Sequence, residues 1–155
     1  TALAERLGEA LLDLARRWPP GPPARPALAA VQHLRLEAEM RSLWQSSLPV
    51  RSGTVIVDSN LKFRPSPGLR TVRVHPLEDL SRLPALLEPW RGRLQGAALA
   101  GDDAWRLEPR LMELGISRCA PPGELQSPDA SWHNGGINPL EVLTSPSPPA
   151  RRRSC

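Results

Sequence analysis

The chain has 155 residues, 40% of them hydrophobic, which is enough for one ordinary domain with a real core. No apolar run approaches the ~18 residues that a membrane-spanning helix needs, so no membrane span is expected. The net charge is +4, but Arg151, Arg152 and Arg153 supply three of those charges; the body is nearly balanced, which argues against a nucleic-acid partner.

Lys62 is the one lysine beside many arginines, a pattern of genomic base composition rather than of a phosphate-reading surface. The 19 prolines sit mainly in loops and tails. Cys119 and Cys155 make no disulfide framework, and a reducing, cytoplasmic setting is the default. The opening TALAERLGEA is amphipathic and carries Glu5 and Glu9, unlike a signal peptide. The missing initiator Met reads as processing or as a piece of something longer.

In chain order, Leu3, Leu7, Leu11, Leu14 and Trp18 form one apolar stripe and predict a helix over 2–18. Pro20 stops it, and Pro19 to Pro26 reads as a stiff extended linker. A second helix is expected from Ala27 to Gln45. Leu28, Val31, Leu34 and Ala38 begin its buried face, and Leu36, Met40, Leu43 and Trp44 widen it. Glu37 and Arg41 can pair across one turn. The two helices read as an antiparallel pair packed on something else.

Thr54 to Asp58 is a β-branched strand, and a polar loop follows through Gly68. Leu69 to Val74 reads as a strand, Leu77 to Trp90 as a helix, and Leu94 to Leu99 as a strand. Pro84 fits that helix only if it starts near Ser81. Asp102 is the expected cap of a helix over 103–114, kinked by Pro109 and closed by Gly115 as a left-handed cap. Ile116 to Cys119 is the last strand. This order gives an α/β fold: an N-terminal helix pair, then a βαβαβ parallel-sheet unit. The domains read as a helical pair over 1–50, an α/β parallel-sheet portion over 51–143 and a disordered tail over 144–155.

No Gly-rich dinucleotide fingerprint or phosphate loop is present; GLR at Gly68 to Arg70 and AGDD at Ala100 to Asp103 do not match one. The two thiols allow no metal spacing. His33 and His75 read as solvated and Cys119 as a buried structural thiol, with no base beside it to lower its pKa. Trp132-His133-Asn134-Gly135-Gly136 stands apart. A flat aromatic, an imidazole and an amide precede glycines that let backbone approach a ligand, although a surface turn with a packed Trp is the plain alternative.

Several motifs in one order carry a resemblance. Leu69-Arg70-Thr71-Val72-Arg73-Val74 comes first. Leu114-Gly115-Ile116-Ser117-Arg118-Cys119, then Pro122-Gly123-Glu124-Leu125-Gln126 and Trp132-His133, follow the pattern G-[VI]-x-R-[IC]…P-G-x-x-Q…W-H. With the helices from Ala2 to Gln45, these segments resemble the LuxC-type acyl-CoA reductases, the fatty-acid reductases known from bacterial luminescence, over about residues 1–143. Asn134 and Gly135 depart from it, standing where the family pattern continues with His and Asp.

The resemblance implies a partial aldehyde-dehydrogenase-like fold and a C-terminal portion of an NADPH-dependent long-chain acyl-CoA reductase. Such an enzyme passes an acyl group from a thioester to a cysteine and releases a fatty aldehyde. It places the nucleophilic Cys upstream of Thr1, so no catalytic residue is expected in this chain, which alone should be inactive. NADPH would be bound mainly by an upstream domain. Trp132, His133, Asn134 and Gly135 become candidates for lining a substrate or cofactor pocket. The implied partners are an acyl-CoA or acyl-protein thioester, further copies of the chain, and an acyl-transferase or synthetase. Read from the residues alone, a non-catalytic α/β interaction or nucleotide-binding module stays open as the alternative.

Overall fold

A computed structural model of the chain describes residues 2–127. These form two compact units that divide between Glu78 and Asp79. The fold is α/β, with small parallel sheets.

The first unit runs α1 (Ala2–Arg17), α2 (Arg25–Met40), β1 (Trp44–Gln45), β2 (Thr54–Val57) and β3 (Thr71–Val74). The β-branched runs of β2 and β3 pair in parallel, Thr54 opposite Thr71 and Val57 opposite Val74. β1 adds to the other edge of β2, antiparallel. Val55 and Ile56 point to opposite faces of β2, and both are wholly buried, so this strand is covered on both sides. α2 supplies one cover, with Leu34 and Ala38 clustered on Ile56 and Leu43 packed against them. α1 also packs on β2.

The apolar stripe of α1 is corrected in its centre. Leu7, Leu11 and Leu14 are half-buried, Leu3 and Trp18 are more than 60% exposed, and the deepest residues are Ala4 and Gly8. The contact is made by small residues: a methyl group on Gly8 would rest in ordinary van der Waals contact, 3.8 Å from Ser46 Cβ and 3.9 Å from Leu48 Cδ1. The leucines then flank the contact instead of filling it. On α2, Val31, Leu34 and Ala38 are buried as expected, whereas Leu36 and Met40 face outward.

α2 also ends earlier than its apolar pattern. Ser42 takes the left-handed conformation at φ 52°, its N–H bonds Glu39 O at 2.9 Å, and Leu43 N–H bonds Ala38 O at 2.9 Å. This is a Schellman stop built without glycine. It frees Trp44 and Gln45 to leave the helix and pair as β1. β3 likewise starts two residues late, because Gly68, Leu69 and Arg70 are all left-handed, with φ of 86°, 48° and 55°.

The second unit holds a 3₁₀ turn (Leu80–Arg82), α3 (Leu83–Leu87), a 3₁₀ turn (Glu88–Trp90), β4 (Gly96–Ala98), α4 (Asp102–Trp105), α5 (Glu108–Glu113) and β5 (Arg118–Ala120). β4 and β5 pair in parallel as a separate two-stranded sheet. The single βαβαβ sheet is thus corrected to two sheets among the described residues, because β3 and β4 do not pair. The helices are shorter than their apolar spacing suggests, and proline explains it. Pro84 and Pro109 each sit in the first turn of a helix, where the missing N–H costs nothing, so the chain restarts a helix there rather than kinking one. Asp102 is not a cap: Gly101 precedes α4, and no side chain caps it.

Gly115 ends α5 as expected, at φ 90°. Its N–H bonds Met112 O at 2.9 Å, and Ile116 N–H bonds Leu111 O at 3.2 Å. Leu111 and Ile116, the two positions that such a motif favours as apolar, are both buried.

Two substitutions test these turns by urea denaturation of the full chain. Gly53 sits at φ 141°, and a Cβ there would lie 2.9 Å from Leu11 Cδ1 and 3.1 Å from Arg70 O. Gly53→Ala therefore destabilises, by about 2–3 kcal/mol. Ser42→Gly acts oppositely, stabilising by about 0.5–1 kcal/mol by relieving the left-handed serine. A loss of stability in Ser42→Gly would contradict the left-handed stop.

Candidate functional site

In the first unit, chemically distinctive side chains converge where β2 and β3 end. The strands are twins in sequence, Thr54-Val55-Ile56-Val57-Asp58 and Thr71-Val72-Arg73-Val74-His75. Parallel registry places Asp58 and His75 at adjacent carboxyl ends, the edge where α/β folds hold ligands. Asp58 N–H donates to Val74 O at 2.9 Å, extending the ladder to this edge.

Asp58 is 2% exposed, so its charge needs partners. Arg41, one residue past α2, supplies a two-pronged bond: Nη2 to Oδ1 at 2.8 Å and Nη1 to Oδ2 at 3.0 Å. Asn60 N–H donates to Oδ1 at 2.9 Å. Burial alone would raise the Asp58 pKa. The Arg41 bonds, the Asn60 N–H and the charges nearby outweigh it and hold the carboxyl below its usual value. Glu37, one turn before Arg41, binds Arg41 at 3.3 Å and Arg64 at 2.8 Å. The Arg64 bond is the main reason its carboxyl also lies below the usual value.

His75 is half-buried, and its Nδ1 lies 3.0 Å from Asp58 O, so the solvated reading is corrected. A carbonyl oxygen only accepts, so Nδ1 is the donor of this contact. Arg73 points from β3 to the same corner, with Nη1 3.9 Å from Asp58 Oδ2. His33 is exposed on α2, as expected.

The second unit offers less. An open groove of about 510 Å³ runs beside α3 and α5. Its charged residues pair with one another, Glu88 with Arg91 and Arg110 with Glu113, leaving no converging reactive group. Cys119 lies in β5, half-buried; burial, then the charge of Glu108, pushes its thiol pKa up. A thiol in that state is poorly ionised and a weak nucleophile. Among the described residues no group of three His, Cys, Asp or Glu side chains could hold a metal, and no helix is long and apolar enough to cross a membrane.

Among the described residues no strand end carries the full turn that a dinucleotide cofactor needs. Its diphosphate needs successive free backbone N–H groups at a glycine turn opening a helix. β2 instead runs into a buried carboxylate and β3 into His75-Pro76; β4 does lead through Gly101 into α4, but that helix opens on Asp102 and Asp103, whose charges repel a diphosphate. Trp132, His133, Asn134 and Gly135 lie outside the described residues, as does Cys155.

The Asp58 cluster escaped the reading of single residues. Asp58 counted only as a strand end and Arg41 only as a partner of Glu37. The available signal was the repeated strand motif, together with an arginine at a position of β3 that faces the same way as Ile56 of β2.

Asp58 makes stability depend on acid. Its folded pKa lies below the ordinary 3.8, so its contribution is complete above that value and is lost as pH falls through the folded pKa. Asp58→Asn should cost about 2–3 kcal/mol at pH 7 and lose less stability than the parent chain between about pH 5 and pH 3. Urea midpoints across that range check this; parallel acid limbs would contradict the paired carboxylate.

Comparison with known proteins gives one result. No curated protein and no solved structure matches the chain. A family model described as acyl-CoA reductase (LuxC) matches residues 1–145, taking in both units and the late Gly115-to-His133 motifs. The chain therefore belongs to the acyl-CoA reductase (LuxC) family, whose activity is the reduction of fatty acyl-CoA.

Proposed function

We propose that this chain is the C-terminal portion of an NADPH-dependent, aldehyde-dehydrogenase-like reductase that converts a long-chain acyl thioester to the fatty aldehyde. The family match over 1–145 carries the reaction class. A thioester already has the acyl oxidation level, and a cysteine thiolate can accept its acyl group directly as the coenzyme A thiol leaves.

Cys119 is not that nucleophile. Its thiol pKa is raised rather than lowered, and among the described residues no imidazole or cation is paired with it. The nucleophile and the NADPH site are therefore assigned to other parts of the enzyme, and this chain alone is inactive. Trp132, His133, Asn134 and Gly135 are assigned to the wall of the acyl or cofactor pocket. A long-chain acyl-CoA, or an acyl group on a carrier protein, is the substrate in this reading. Further copies of the chain and an acyl-transferase or synthetase are its partners, in the cytoplasm.

Two measurements test this. NADPH oxidation with long-chain acyl-CoA and the chain alone should show no turnover; clear aldehyde formation would overturn the assignment. In a Cys155→Ser background, iodoacetamide should alkylate Cys119 at pH 7.5 more slowly than a free small-molecule thiol. Reaction faster than that thiol would return Cys119 to the list of nucleophiles.

A further inference from the structure

The corner at the ends of β2 and β3 has more cation than its carboxylates can satisfy. Both Asp58 oxygens are taken by Arg41, and Oδ1 also by Asn60 N–H. Glu37 Oε1 is shared by Arg41 and Arg64. Three guanidiniums thus meet two carboxylates, and Arg73 is the one left over. Among the described residues its nearest carboxylate oxygen is Asp58 Oδ2, 3.9 Å away and beyond hydrogen-bonding distance. Its Nε is enclosed and has no partner among the described residues.

Yet the Arg73 side chain is only 12% exposed. A guanidinium carries five donors and keeps its charge, so holding it there without an acceptor is costly. Burial, then the charge of Arg64, disfavours its charged form. Arg64 is 38% exposed, so a ligand can reach this corner from solvent. What is missing is a compact anion with several acceptors, and phosphate has the geometry that a guanidinium fork fits.

We propose that Arg73, with Arg64 beside it, binds a phosphate monoester at the carboxyl ends of β2 and β3, and that this phosphate is the 3′-phosphate of coenzyme A. The coenzyme A source rests on the acyl-thioester reading of the enzyme; the phosphate site does not. The competing account makes Arg73 simply a structural partner of Asp58. The two differ in sign: a structural partner stabilises the free protein, whereas an unsatisfied cation does not.

The test is thermal unfolding of the full chain. Inorganic phosphate, compared with chloride at equal ionic strength, should raise the midpoint by about 3 °C at ten times its Kd. Coenzyme A should act at lower concentration than phosphate, and 3′-dephospho-coenzyme A at least about fivefold more weakly than coenzyme A. Arg73→Gln should weaken the response at least about tenfold while leaving the ligand-free midpoint unchanged or higher. Arg93→Gln, an exposed arginine of the other unit, should keep it. If Arg73→Gln does not fold, Arg73 is structural and the proposal falls. It also falls if phosphate gives no gain over chloride, or if Arg73→Gln folds and still responds. Arg64→Gln gives an independent arm, in which an undiminished response counts against the site. Phosphate binding without any gain from coenzyme A would keep the site and remove that source. The turnover assay judges the reductase reading separately, so a missing phosphate response leaves that reading standing.

Discussion

The first unit depends on one buried carboxylate being paired. Asp58 ends β2 beneath the C-terminal end of α2, and a lone charge at 2% exposure would be untenable. Arg41, the first residue past α2, reaches it with both guanidinium prongs, one residue before the chain turns at Ser42. That turn also sends the chain into β1, the antiparallel edge of the same sheet. Helix length and sheet edge are thus a single arrangement, with the charge pair anchored at the end of the same helix. Continuing α2 to Gln45 would remove β1.

This also marks where the sequence was legible. The β-branched runs announced β2 and β3, and the left-handed cap at Gly115 was visible because glycine is the residue that adopts it freely. The same motif at Ser42 was hidden, since serine carries no such signal and the apolar pattern ran on through Leu43 and Trp44. Proline was ambiguous in kind. Pro109 was read as a kink inside a helix, whereas its missing N–H makes it a start. Leucine spacing on α1 identified the helix but not its contact. Its buried positions are Ala4 and Gly8, small residues that apolar scoring ignores.

The functional reading had a similar split. Ordered motifs around Gly115, Pro122 and Trp132 pointed to the reductase family, and the match over 1–145 bears that out. The Asp58 corner could not be found from one residue at a time, because its members come from positions 37, 41, 58, 64, 73 and 75. Pairing register is what joins them, and register is not written in any single segment. The internal echo of TVIVD in TVRVH was the one local sign that two strand ends would lie side by side.

The contrast between Arg73 and Cys119 then separates binding from chemistry. Both sit in parallel strands, and burial disfavours the charged form of each. For a thiol, that means less thiolate and less nucleophilicity, so Cys119 loses the property that acyl transfer needs. For a guanidinium, whose ordinary value lies far above neutrality, the charge persists and burial only sharpens its demand for an anion. The same environmental push therefore disables a candidate nucleophile in one unit and prepares a candidate anion ligand in the other. On that physical ground, the described part of this chain is better suited to holding an anion than to supplying a nucleophile.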